Sequence, residues 1–140
     1  MPSVRPDIRS FFEHYERAGE DADEGALARC FCDTFLSLDP NVVTALTPQA
    51  LLAALPRRKA LFHAVGSDGL KLADITEVPL DDIHTLVRTE WKLLMNTERR
   101  RDDITLRSTF VLRQNGAWRI ALYLNHQNMP RLFGDLAAQA

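Results

Sequence analysis

"STFVLRQNGAWRIALYLNHQN", residues 108–128, is the stretch on which the fold turns. Its Asn-Gly pair at 115–116 separates two apolar runs, a strong short-range hairpin signal. On the first arm Ser108, Phe110 and Leu112 alternate with Thr109 and Arg113. On the second, Trp118, Ile120, Leu122 and Leu124 alternate with Arg119, Tyr123 and Asn125. Period two on both arms predicts antiparallel strands with one buried face. The same alternation carries His126 onto the face of Leu122 and Leu124. Either the strand leaves the core there, or the core has a polar opening.

Upstream, the period stays at two. "DIHTLVRTEWKLLM" puts Ile83, Thr85, Val87, Thr89, Trp91, Leu93 and Met95 on one face, opposite His84, Arg88, Glu90 and Lys92. Glu90 reads as a cross-strand partner for an arginine. "LKLADITEV" alternates loosely and ends at Pro79, after a turn at "GSDG" (66–69). Further upstream the period becomes helical. Pro6 and Asp7 start a helix with Ile8, Phe11, Phe12 and Tyr15 on one stripe, stopped or broken at Gly19. "DADEGALARCFCDTFL" predicts a second, with Leu27, Cys30, Phe31 and Phe35 in line, ended by Asp39-Pro40. Thr47 as N-cap and Pro48 at N1 open a third, through Leu51, Leu52, Leu55, Phe62 and Val65, which Pro56 should kink or split.

Two or three helices followed by three or four antiparallel strands is an α+β pattern, with the helices on one face of the sheet. At 140 residues, 46% hydrophobic, without repeats or linkers, the chain reads as one domain over 1–140. Its formal net charge of −2 argues against a nucleic-acid partner. The Arg99-Arg100-Arg101 run is answered by Glu98, Asp102 and Asp103 and reads as a solvated hairpin tip. The first residues lack a signal peptide's apolar region, and no run approaches membrane-span length, so a cytoplasmic protein is expected. Cys30 and Cys32 are spaced for neither a redox pair nor a metal site, and the four histidines form no ligand pair. No metal and no cofactor are expected.

In the order of its elements the chain resembles the nuclear-transport-factor-2-like (NTF2-like, SnoaL-like) superfamily of cone-shaped α+β domains. The residues that carry the likeness are "CFCDTFLSLDP" and above all the terminal hairpin, whose Gly-x-Trp-Arg-Ile run is the superfamily's usual last strand. The resemblance implies N-terminal helices packed in the concave face of a curved antiparallel sheet, leaving a largely apolar cavity. Phe11, Phe35, Trp91, Ser108, Phe110, Trp118 and Leu122 would line it, with His126 near the rim.

Tyr15 on the first helix and Asp39 before Pro40 look like the arrangement in bacterial ketosteroid isomerases. There a first-helix tyrosine donates to an oxyanion and an aspartate before proline moves a proton. That family's second aspartate falls near Ser108, and the segment after Asp39 is unlike its short polar connection. The functional expectation is a pocket protein for a small apolar molecule. Cofactor-free isomerase, cyclase or dehydratase chemistry on a carbonyl compound would use Tyr15, Asp39 and His126. The alternative is a non-catalytic ligand-binding or dimerisation module, with Tyr15 a core residue and Asp39 a turn residue. The outer sheet face, carrying Thr105, Arg107, Thr109, Arg113, Arg119, Tyr123 and Asn125, suits a homodimer.

Overall fold

The computed structural model describes residues 4–95 and 104–138, so the arginine run at 99–101 lies outside the described residues. Helix α1 (Pro6–Glu20) begins at Pro6, whose missing N–H costs nothing in a first turn. It runs through Gly19, and Ala22 rather than the glycine takes the positive φ of 53°. Helix α2 (Glu24–Arg29) is only one and a half turns long, capped by Asp23, whose side chain accepts from the Ala26 N–H.

Phe31–Leu38 is strand β1, not the continuation of α2, and β2 (Val43–Leu46) follows it. Phe31 and Phe35 are four residues apart, which puts them on one face of a helix and equally on one face of a strand. Both are buried, their ring centroids 4.5 Å apart. Helix α3 (Pro48–Ala64) starts as expected, with the Thr47 hydroxyl accepting from the Ala50 N–H. Pro56 lies inside it without splitting it in two.

Strands β3 (Ser67–Pro79), β4 (His84–Met95), β5 (Ile104–Asn115) and β6 (Ala117–Asn125) then form the body of the sheet. Helix α4 (Met129–Ala138) closes the described chain. Strand order is β2-β1-β6-β5-β4-β3, with β1 parallel to β6 and every other neighbour antiparallel. The sheet is therefore mixed rather than purely antiparallel. One face packs under the helices around Ile8, Phe12, Val87, Leu93, Phe110, Leu112 and Ile120. The alternation read from β4 and β5 holds along both strands, and Glu90 pairs with Arg107 across them, Nε donating to Oε1 at 3.2 Å.

On β6 the alternation breaks. Leu112 pairs with Ile120 but Val111 pairs with Leu122, so Ala121 is an extra residue, a β-bulge. One inserted residue exchanges the faces beyond it. Tyr123 pairs with buried Phe110 and Asn125 with buried Ser108, so these two belong to the inner face. Leu122, Leu124 and His126 belong to the outer face, against the expectation that they continue the core stripe of Trp118 and Ile120. Leu36, Leu122, Val111, Leu86 and Val78 consequently fall in register on five adjacent strands. At the usual strand spacing they form an apolar row about 20 Å long across the outer face.

Candidate functional site

The bulge that turns Tyr123 and Asn125 inward also shapes a cleft. Helices α3 and α4 meet over the end of the sheet, with the Phe62 and Phe133 rings 5.4 Å apart. Beneath them is a space of about 600 Å³, walled by Leu61, Phe62, Val65, Met129 and Phe133 with Tyr123. Its polar groups come from Ser37, Asp39, Arg57, Arg58 and Asn125. The volume suits a small molecule. A smaller chamber of about 40 Å³, room for about one water or one carbonyl group, is lined by Tyr15, Trp91, Ser108 and Phe110. Arg58, Tyr123, Asn125 and Met129 border both spaces and so mark their junction.

Local hydrogen bonds hold Trp91 and Asn125 in place. Trp91 is held by its indole N–H, which donates to Thr89 Oγ1 at 2.8 Å. The Thr89 hydroxyl in turn donates to the Ser108 carbonyl at 3.1 Å. Asn125 Oδ1 accepts from the Gln127 N–H and Nε2, at 3.1 and 2.7 Å. Tyr15 sits among aromatic rings, 5.8 Å from Phe110, 6.0 Å from Phe31 and 6.1 Å from Trp91. Burial pushes its pKa up, nearby Tyr123 adds to this, and Arg58 opposes it. The phenol is thus a neutral donor at any physiological pH. Among the described residues no protein group is hydrogen-bonded to the hydroxyl of Tyr15, Tyr123 or the Ser108 side chain.

Of the residues expected at the site, the structure brings together Tyr15, Trp91, Ser108 and Phe110, all at the inner chamber. Asp39 lines the outer cleft, but its Oδ1 accepts from the N–H groups of Asn41 and Val42 at 2.7 and 2.9 Å, an Asx-type turn. His126 borders neither space. It is exposed on the outer face, with Nε2 2.7 Å from Thr109 Oγ1, because the bulge reversed its side of the strand. Leu122 is displaced for the same reason. Phe35 is buried against Phe31, and Phe11 packs on Phe12 and Tyr15, away from both spaces. Trp118 anchors α1 instead: its indole N–H donates to Asp7 Oδ2 at 2.8 Å, and Arg5 lies over its ring.

Sequence reasoning missed Arg58, Tyr123, Asn125 and Met129. For Arg58 the signal was present, since it falls on the stripe of Leu51, Leu55, Phe62 and Val65, where an arginine is out of place. Tyr123 and Asn125 gave none, because a bulge leaves no mark in a periodicity.

Neither a protein-family model nor a curated protein matches the sequence. Solved structures do match in shape. An NTF2-like protein of unknown function from Shewanella oneidensis superposes with a TM-score of 0.67 at 19% identity, over 86% of this chain and 97% of that one. An NTF2-like protein with a cystatin-like fold from Novosphingobium aromaticivorans gives 0.66 at 15%, over 91% and 86%. The β subunit of the benzoate 1,2-dioxygenase from Burkholderia mallei gives 0.67 at 16%, over 94% and 96%. At these identities the likeness is one of architecture. The protein has the NTF2-like, cystatin-like α+β fold.

Proposed function

We propose that the protein binds a small, largely apolar carbonyl compound in the cleft between α3, α4 and the sheet. The observation that carries this reading is that Arg58, Tyr123, Asn125 and Met129 line both the cleft and a neighbouring chamber holding donor hydroxyls. An apolar body fits the outer space, and a carbonyl oxygen fits the chamber, where Tyr15 and Ser108 can donate to it. Thermal denaturation with butyrophenone tests it. At about 100 times the dissociation constant, binding adds roughly 2.7 kcal/mol of stability; no shift at saturating ketone contradicts the reading.

Gly134 offers a sharper probe. It lines the cleft from α4, and a Cβ placed there meets nothing within 4 Å. Gly134→Leu should raise stability by up to about 1 kcal/mol through helix propensity while filling the mouth of the cleft. The expected pair of results is a higher melting temperature and a ketone affinity lowered at least tenfold. Unchanged affinity would place the ligand elsewhere.

A cofactor-free isomerase is the second reading, favoured by the neutral Tyr15 donor in the chamber. Asp39 is its proton acceptor, through Oδ2, since both turn hydrogen bonds go to Oδ1. Solvent deuterium exchange at the α-carbon of butyrophenone separates the two readings. An enzyme catalyses exchange that Tyr15→Phe slows, whereas a binder catalyses none.

The apolar row on the outer face supports a homodimer that pairs the two sheets. Leu36 and Val78 at its ends are 40% and 48% exposed, and a contiguous exposed apolar row is a candidate contact surface. Val111→Lys, at the centre of the row, is expected to convert a dimer to a monomer in sedimentation velocity. A monomeric wild type contradicts the dimer.

A further inference from the structure

We infer that the cleft selects an amphipathic monocarboxylate, its head group held by Arg58 and its tail by the α3–α4 wall. The inference rests on the ligand-binding reading above and names the class of ligand.

Arg58 is half-buried on the inward stripe of α3, with its guanidinium 5.4 Å from the Phe62 ring centroid. Among the described residues the salt bridges are Arg5–Glu77, Arg107–Glu90 and, when the histidine is protonated, His84–Asp81, so none of the described carboxylates is paired with Arg58. A partly desolvated guanidinium against apolar walls is costly unless an anion answers it. Its planar fork matches a carboxylate through two parallel hydrogen bonds.

Its surroundings fit the same ligand. Because Asn125 Oδ1 already accepts from the Gln127 N–H and Nε2, the Asn125 Nδ2 is left to donate, and Tyr123 lines the same space. The other charged groups on the cleft are Arg57, which reaches only the outer space, and Asp39, whose Oδ1 is occupied by backbone amides. Phe62, Val65, Met129 and Phe133 supply a path for an apolar tail.

Calorimetric titration with decanoate, ionised at neutral pH, and its neutral isostere decanamide tests this, both kept below micelle-forming concentration. The wild type is expected to bind decanoate at least tenfold more tightly than decanamide. Arg58→Met should abolish that preference. Arg57→Met should leave the preference intact, and Arg58→Lys, which keeps charge but not fork, should reduce it. Equal affinities in the wild type, or a preference surviving Arg58→Met, would overturn the inference. Binding of butyrophenone without either decyl compound would also overturn it while leaving the pocket standing. No binding by any of the three removes both.

Discussion

Phe110→Ala is expected to destabilise the protein by about 3–5 kcal/mol, read as a lower urea midpoint with little change in slope. Phe110 is 1% exposed at the middle of β5. Its ring packs on Phe12 of α1, Tyr15 and Tyr123 at centroid distances of 5.0, 5.8 and 5.1 Å. It therefore joins helix to sheet and floors the inner chamber at once. Truncation removes the aromatic transfer energy and leaves a cavity that three rings, held by other neighbours, close only partly. A loss under 1 kcal/mol would mean that α1 is not seated on β5 as described.

The second large effect comes from Arg5→Ala. Glu77 faces inward from β3, where its side chain is 1% exposed. It accepts from the Arg5 backbone N–H at 3.1 Å, Arg5 Nε at 2.8 Å, Arg5 Nη2 at 2.5 Å and the Thr85 hydroxyl at 2.7 Å. Burial by itself raises the carboxyl's pKa, but the hydrogen bonds from Arg5 and Thr85 outweigh it, and the net shift is downward. Breaking a fully buried pair costs about 3–5 kcal/mol. The Arg5 side chain is 45% exposed, so about 2 kcal/mol is the expected loss.

The pH dependence follows from the sign of the shift. A carboxyl whose folded pKa is depressed contributes stability above its unfolded pKa and loses it as pH falls through the folded value. The gap between wild type and Arg5→Ala should be full at neutral pH and shrink once pH drops below the ordinary carboxylate range. Urea titrations from neutral to acid pH check this. A gap that does not change with pH would mean that Arg5 acts only by packing, for instance over Trp118.

Most of the sheet was legible because its side chains obey a local rule. Residues 85–93 and 106–112 bury every second side chain, and the Asn115-Gly116 turn closes the hairpin with Gly116 at φ 79°. Strand β1 was misread because its Phe31 and Phe35 spacing satisfies two periods, and the parallel neighbour that decides between them, β6, lies some ninety residues away. The candidate site was half legible. Tyr15, Trp91, Ser108 and Phe110 lie on regular elements whose faces follow from spacing. Tyr123, Asn125 and His126 lie beyond Ala121, where one extra residue reverses every later assignment, and no local pattern records it.

The cleft itself is tested most directly by its own fluorophores. Trp91 borders the inner chamber and Trp118 lies outside both spaces, so the two tryptophans report on different places. Para-bromobutyrophenone, a contact quencher, should be titrated into Trp118→Phe, which keeps only Trp91, and into Trp91→Phe, which keeps only Trp118. Saturable quenching of Trp91, with Trp118 dimmed only in linear, collisional fashion, is the expected result. Equal linear quenching of both tryptophans would mean that the ketone does not enter the cleft, and would contradict the binding function.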